Sequence, residues 1–167
     1  DEIEKDYNIV VLDYDFNNQF DILEKLPQKE KMEILVNACC DAACPRRTEH
    51  YRILGMQQIA VCEHMAKNTN ERLNLRDYGV PEMYCKCADR TILDVKKLKN
   101  YISPDDIWEK YVPMGFNQFK IEGRTTTRLN LFETYLHYMI KPECMDEVRF
   151  MLLYNLEKNG VIRFEGN

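Results

Sequence analysis

The sequence has 167 residues, of which 45% are hydrophobic, and a formal net charge of -5. A chain of this length fills one hydrophobic core without disulfides, so we expect a single α/β domain over residues 1–167. The acidic balance excludes nucleic-acid binding by overall charge. Since the sequence has no run of about 18 apolar residues, we expect a soluble, cytoplasmic protein that does not engage a membrane.

The first third of the chain predicts a βαβ unit. Residues 8–13 form a continuous apolar run rich in β-branched side chains, typical of a strand buried in a parallel sheet. Residues 16–26 carry apolar side chains at helical spacing and end at Pro27, as an amphipathic helix does. A second apolar run at 32–37 predicts the next strand, which completes the βαβ unit.

The middle of the chain predicts a helix and then an irregular segment. Residues 47–61 carry apolar side chains in helical order, although Gly55 weakens the pattern. The following stretch is polar with few β-branched residues, so we expect a long irregular excursion over about 63–90. Loops of this length in compact domains are usually functional or disordered.

The last third of the chain predicts further short strands and helices. Ser103 has the character of a helix N-cap residue, because Pro104 and two acids follow it. Pro142 separates the last two helices. The predicted elements are a strand at 101–102, a helix from Ser103 to about Met114 that ends at Gly115, a strand at 118–124, and helices at 127–140 and 143–158.

Repeated βα units of this kind predict a parallel sheet, either open or curled. A complete eight-stranded barrel needs about 250 residues and seldom fewer than about 200, so the chain can hold only half of one. A half-barrel leaves two sheet edges unpaired. Three alternatives follow: the chain is a fragment of a larger barrel enzyme, a second copy or a partner chain completes the barrel, or the chain is a degenerate relative that closes its sheet differently.

The cysteines are the main chemical signal: there are seven, and most fall in two tight groups. Adjacent or one-apart cysteines rarely bridge each other, so reduced thiols in a cytosolic setting fit better than a disulfide framework. Thiolates are the soft ligands that iron-sulfur clusters and zinc prefer, usually four at a time. The sequence therefore predicts a metal site at Cys40 and Cys44, completed by Cys62 and one of Cys85 or Cys87.

The cysteines also admit other roles. Free cysteine often behaves as a small buried hydrophobe, which fits Cys39 and Cys144. Cys40 with His50 or His64 would form a nucleophile and its base. Clustered thiols favour ligands or redox groups instead, and no Gly-x-Ser-x-Gly or His-Glu-x-x-His motif is present. We therefore do not expect protease activity.

Polar residues near the predicted strand ends indicate a substrate site on the same face as the thiols. Asn37 ends the second predicted strand, and Glu122 and Arg124 flank a glycine at the end of a later one. Arg124 offers a fork of donors suited to carboxylate or phosphate, unless it only pairs with Glu122 on the surface. Arg46 and His50 lie where a helix begins and anions are attracted, although His50 also fits a solvated side chain.

Two motifs, in this order, resemble the collagenase-like "unassigned peptidase" family, class U, number thirty-two. The first is Ile34-Leu35-Val36-Asn37 followed by Cys40, Cys44-Pro45, Arg46 and His50-Tyr51; the second is Gly115-Phe116-Asn117-Gln118-Phe119-Lys120-Ile121-Glu122-Gly123-Arg124. The resemblance covers roughly residues 8–140, in the order of the carboxyl-terminal half of the family's TIM barrel.

The resemblance implies a function as well as a fold. Several members of the family hold a [4Fe-4S] cluster on four cysteines and take part in hydroxylating tRNA, rRNA or ubiquinone precursors. It implies an RNA or a small aromatic molecule as the substrate, with Glu122, Arg124 and His50 as catalytic residues and Asn37, Arg46 and Arg124 as substrate-binding ones. The alternative is a non-catalytic interaction module that zinc or thiols stabilise.

Overall fold

The described residues form a sheet of three parallel strands. The computed structural model describes residues 6–68, 70–123 and 126–163. The strands are β1 (Val10–Val11), β2 (Met32–Leu35) and β3 (Gln118–Lys120), in the order β1-β2-β3. Val10 pairs with Met32, and Glu33 pairs with Gln118. The α/β class and the parallel sheet are thus confirmed, whereas the half-barrel stays a prediction.

Helices supply most of the remaining regular structure. Within the described ranges they are α1 (Phe20–Leu23), α2 (Arg47–Ala66), α3 (Ile92–Val95), α4 (Pro104–Asp106), α5 (Arg128–Met139) and α6 (Met145–Lys158). Single 3₁₀ turns lie at Tyr14–Phe16, Lys29–Lys31, Leu75–Tyr78, Lys86–Asp89 and Pro142–Cys144, and a π-helical turn at Ile107–Tyr111 continues α4.

The first βα unit is shorter than its sequence predicts. β1 covers only two residues, and Val11 is 53% exposed, so the apolar run at 8–13 is not buried on both faces. The helix predicted at 16–26 is reduced to a 3₁₀ turn and the four residues of α1. Asn18 explains the break, because its backbone is left-handed with φ of 64° and cannot continue a helix.

The segment before α4 is attached to the sheet without forming the predicted strand. The Ile102 amide donates to the Val36 carbonyl at 3.1 Å. The Tyr138 hydroxyl, from α5, donates to the carbonyls of both Ile102 (2.9 Å) and Val36 (3.2 Å). One backbone bond and one tyrosine therefore fasten residues 101–102 to the end of β2.

The predicted start of α4 is confirmed, whereas its helical continuation ends at Tyr111, before the predicted end at about Met114. The Ser103 hydroxyl accepts from the Asp106 amide at 3.0 Å, and the Asp106 carboxylate accepts from the Ser103 amide at 3.4 Å, which forms a capping box. Gly115 follows the helical segment with φ of 104°, a conformation that glycine adopts without strain. The strand after it, β3, ends at Lys120 rather than extending to 124.

Two compact units divide the chain. The first comprises the residues up to Ala42 and those from Ala88 onward, and the second comprises Ala43–Cys87. The core of the first unit is formed by Leu23, Met32, Ile34, Val36, Ile102, Tyr111 and Phe116. The second unit has a small core of Ile53, Ala60 and Val80. Its helix α2 runs to Ala66, five residues past the predicted end at Val61, so the irregular segment is shorter than expected.

No helix in the described parts of the chain combines the length and the apolar character needed to cross a membrane.

Candidate functional site at the carboxyl ends of the strands

Asn37 joins the carboxyl ends of β2 and β3. Its side-chain amide donates to the Glu122 carbonyl at 2.9 Å, and its Oδ1 accepts from the Glu122 amide at 2.7 Å. The side-chain amide therefore takes the place of a backbone peptide group and continues the hydrogen-bond ladder of β2 and β3 beyond the ends of the two strands. Asn37 is 6% exposed, so these bonds are shielded from water and hold the two strand ends together.

The segment 39–41, which we call the cysteine loop, follows directly. The Cys39 amide donates to Glu122 Oε2 at 3.2 Å, and the Arg90 guanidinium donates to the Cys39 carbonyl at 2.7 Å. Asn100 Nδ2 donates to the Cys40 carbonyl at 3.0 Å. Three side chains from distant parts of the sequence thus hold the backbone that carries the two thiols.

A small polar cavity lies beside the cysteine loop. Its volume of about 30 Å³ is enough for one water molecule. Thr134 and Asn37 are buried in its wall. The other residues that line it are Cys39, Arg90, Ile92, Val95, Glu122, Gly123, Thr126 and Asn130. Its size admits a water molecule but no organic substrate.

The second unit contains the other clustered cysteines. Cys44 and Cys85 are half-buried, Cys62 is exposed and Cys87 is buried. Arg46 Nη2 donates to the Tyr84 carbonyl at 3.3 Å. One arginine side chain therefore links the first residues of the second unit to its last residues. We expected Arg46 to bind substrate. In the structure it connects the segment that contains Cys44 to the segment that contains Cys85.

The two histidines of the second unit differ in their contacts. The His64 ring uses both nitrogens, since Nδ1 lies 3.0 Å from the Tyr78 hydroxyl and Nε2 lies 2.9 Å from the Glu71 carbonyl. His50 packs its ring against Tyr51, with 6.4 Å between the centroids. The contacts of His64 make it a structural residue and leave no ring nitrogen for a nucleophile.

The predicted site residues are placed only in part. Asn37 and Glu122 lie together, and Glu122 uses one carboxylate oxygen to hold the cysteine loop. Arg124, predicted both to catalyse and to bind substrate, lies outside the described residues. Cys39 and Cys40 belong to the first unit, and Cys44, Cys62, Cys85 and Cys87 belong to the second.

Metal ligation stays a prediction. Among residues 6–68, 70–123 and 126–163, no group of three or more His, Cys, Asp or Glu side chains is arranged to hold a metal ion. No reaction step through a metal follows from this arrangement.

A cluster around His137 was missed by the sequence analysis. The His137 Nε2 lies 2.6 Å from the Tyr101 hydroxyl. Burial, reinforced by the nearby charge of Lys96, lowers the pKa of His137 to about 4, and burial raises the pKa of Tyr101 to about 12. The helical spacing of Thr134, His137 and Tyr138 along α5 was the available signal, since it places all three toward one side of the helix.

The fold and these contacts define an α/β protein with a parallel sheet and a braced, thiol-bearing loop at the carboxyl end of its central strand. No protein-family model and no solved structure matches the chain. The chain is 30% identical to an uncharacterized protease of Methanocaldococcus jannaschii over an alignment of 129 residues. This alignment covers 73% of the chain and 33% of that protein. The chain thus spans about a third of the length of this curated relative.

Proposed function

We propose that the chain is the thiolate-bearing part of a protein of the collagenase-like "unassigned peptidase" family, class U, number thirty-two, and that its cysteines hold a [4Fe-4S] cluster. The similarity to a protein named as a protease supports the family. The placement of Cys40 in the loop that follows β2 carries the proposal. In open α/β sheets ligands bind outside the carboxyl ends of the strands, which is where this loop lies.

The proposed ligands are Cys40 and Cys44 with Cys62 and one of Cys85 or Cys87. Thiolates suit iron-sulfur clusters and zinc better than they suit magnesium or calcium. The contact of Arg46 with the Tyr84 carbonyl supports the inclusion of Cys44 and Cys85, because each lies within two residues of that bond. A bound [4Fe-4S] cluster would supply one-electron redox chemistry.

The remaining site residues have proposed roles toward the substrate. The family resemblance supports hydroxylation or another modification of an RNA or a small aromatic molecule. Arg124 would bind an anionic group of the substrate, with Arg46 and His50 contributing positive charge or a proton. Glu122 would act beside them, and Asn37 would hold the Glu122 backbone in place through the two bonds between them.

A non-catalytic zinc module is the alternative. It is favoured by the compact second unit, which has its own small core and carries Cys44, Cys62, Cys85 and Cys87. A closed site of four thiolates on zinc would stabilise such a unit, since a core of this size contributes little. In this case the protein would bind a partner chain and perform no reaction.

Peptide hydrolysis is not proposed, although the relative carries the name of a protease. A cysteine nucleophile needs a histidine with a ring nitrogen available as the base. His64 uses both of its ring nitrogens within the second unit. His50 therefore remains the histidine to test, and the His50→Gln variant in a peptide-cleavage assay would reveal such a role.

Metal analysis of protein purified without oxygen tests the proposal. We would measure the visible absorption spectrum together with the iron, sulfide and zinc content of the wild type and of a Cys40→Ala, Cys44→Ala double variant. Cys144→Ala is the matched control, because Cys144 is exposed and lies outside both cysteine groups. Circular dichroism of each variant would show whether the fold is retained.

Each outcome separates the candidates. Iron and sulfide in equal amounts, lost in the double variant and kept in Cys144→Ala, would support the cluster. Zinc alone, with four thiolates protected from alkylation, would support the interaction module. Wild-type protein without metal would overturn both the cluster hypothesis and the zinc hypothesis.

A further inference from the structure

The cysteine loop is braced from three directions within the first unit. Glu122 follows β3, Arg90 precedes α3, and Asn100 precedes α4. Each of them binds a backbone atom of Cys39 or Cys40. A loop with three of its backbone groups held in this way has reduced freedom, and so do the thiols that it carries.

Arg90 makes the most extensive of these contacts. Its guanidinium donates to the Cys39 carbonyl at 2.7 Å and to both oxygens of the Asp41 carboxylate at 3.0 and 3.1 Å. The fork geometry of arginine permits this arrangement, whereas lysine offers a single ammonium group. The side chain of Arg90 is 23% exposed, so water competes weakly with the bonds that it makes.

Asn100 holds the next residue of the loop. It is 1% exposed, its backbone carbonyl accepts from Asn17 Nδ2 at 2.8 Å, and its own Nδ2 donates to the Cys40 carbonyl. None of the described residues donates a hydrogen bond to the other amide atom, Asn100 Oδ1. A buried acceptor without a donor lowers the stability of the folded state. The bond from Asn100 Nδ2 to the Cys40 carbonyl partly offsets this cost.

We infer that Arg90 and Asn100 are positioning residues that set the thiol of Cys40 in advance for a metal or other soft electrophile, Arg90 through residues 39 and 41 on either side of it and Asn100 through the Cys40 carbonyl. The inference rests on the proposed function for its ligand, whereas the bracing contacts join residues of the chain itself. Residues that orient the ligands of a metal typically change its affinity about 10- to 100-fold when they are replaced. Arg90 would act through the backbone of the loop and would not touch the metal.

The test compares two arginine variants. Arg90→Gln removes the guanidinium from the cysteine loop. Arg76→Gln is the matched control, because Arg76 also pairs with a carboxylate, that of Glu82, but belongs to the second unit. Two readouts are measured for each: the alkylation rate of Cys39 and Cys40 in metal-free protein, followed by peptide mass spectrometry, and the affinity for zinc ions.

We expect Arg90→Gln to accelerate alkylation of these half-buried thiols several-fold and to weaken zinc binding about 10-fold or more, with Arg76→Gln unchanged. Arg90→Lys should fall between Arg90→Gln and the wild type in both readouts, and it decides the question if Arg90→Gln does not fold. Asn100→Ser should act in the same direction as Arg90→Gln.

The two proposals fail in different ways. Wild-type protein that binds neither iron nor zinc would overturn the proposed function, whereas the alkylation rates would still report on the bracing. Alkylation rates of Cys39 and Cys40 that are the same in the wild type, Arg90→Gln and Arg90→Lys would overturn the positioning role, whatever metal is bound.

Discussion

Replacing Asn37 with alanine should destabilise the first unit by about 2–4 kcal/mol. The change removes both bonds to Glu122, at 2.7 and 2.9 Å, and leaves a backbone N–H and a carbonyl without their partners. A buried polar group deprived of its partner costs about 1–3 kcal/mol, and water that enters the space left by the side chain recovers part of this. The small polar cavity beside Asn37 makes such entry feasible, which sets the lower end of the range.

Urea unfolding measures this cost. We expect a lower midpoint at an unchanged slope, together with faster hydrogen exchange at the Glu122 amide. Asn155→Ala is the control, because its exposed amide bonds only to the Met151 carbonyl in the same helix, and the expected change is within about 0.5 kcal/mol. Equal midpoints for Asn37→Ala and Asn155→Ala would refute the idea that the Asn37 side chain continues the strand ladder.

Asn37→Asp refines the experiment. The carboxylate keeps an acceptor for the Glu122 amide but faces the Glu122 carbonyl with a second oxygen in place of a donor. Burial and this repulsion would raise the pKa of the new carboxyl group in the folded state. Stability should therefore increase as the pH falls and the group becomes protonated, and a pH-independent difference from the wild type would contradict the assignment.

Three further predictions concern stability. Because burial holds the pKa of His137 at about 4 in the folded state, below its ordinary 6.5, its contribution is complete above pH 6.5 and is lost as the pH falls toward 4. Partial solvent exposure reduces the expected loss to about 1–2 kcal/mol, and thermal unfolding of His137→Gln should lack this pH dependence. Tyr111→Phe should cost about 1–2 kcal/mol in urea unfolding, because the Asn18 amide loses its 2.8 Å bond to the hydroxyl, and an unchanged midpoint would mean that water replaces that bond. Ser103→Ala should lower stability by about 1 kcal/mol through loss of the cap on α4, whereas Ser103→Asp, which retains a capping oxygen, should cost less.

Local signals were sufficient for some elements of the fold. Ser103, Pro104 and Asp106 specify a helix start by their own chemistry, and the structure has a capping box at this position. The apolar run at 32–37 becomes the central strand because it is covered from both sides. The run at 8–13 has similar composition but forms an edge strand with exposed side chains, and exposure depends on what lies beside a strand rather than on its own residues.

Most contacts of the candidate site were harder to predict from the sequence. Asn37 and Glu122 follow neighbouring parallel strands, so the topology alone predicts that they meet. Arg90 and Asn100 reach the cysteine loop across 51 and 60 residues of chain, and no periodic pattern encodes such a contact. The left-handed conformation of Asn18 was unpredictable for a similar reason. Its side-chain amide is held by bonds to the carbonyls of Lys99 and Tyr101, which are distant in the sequence.

The Tyr138 hydroxyl, which binds the carbonyls of Val36 and Ile102, couples a helix to the end of the central strand. When α5 separates from the sheet, both carbonyls lose this hydroxyl at the same moment, and the Val36 carbonyl retains the Ile102 amide as a donor. Opening of the helix and fraying of the strand ends should then be a single cooperative event. Amide protons of α5 and of residue 102 would then exchange with one shared free energy.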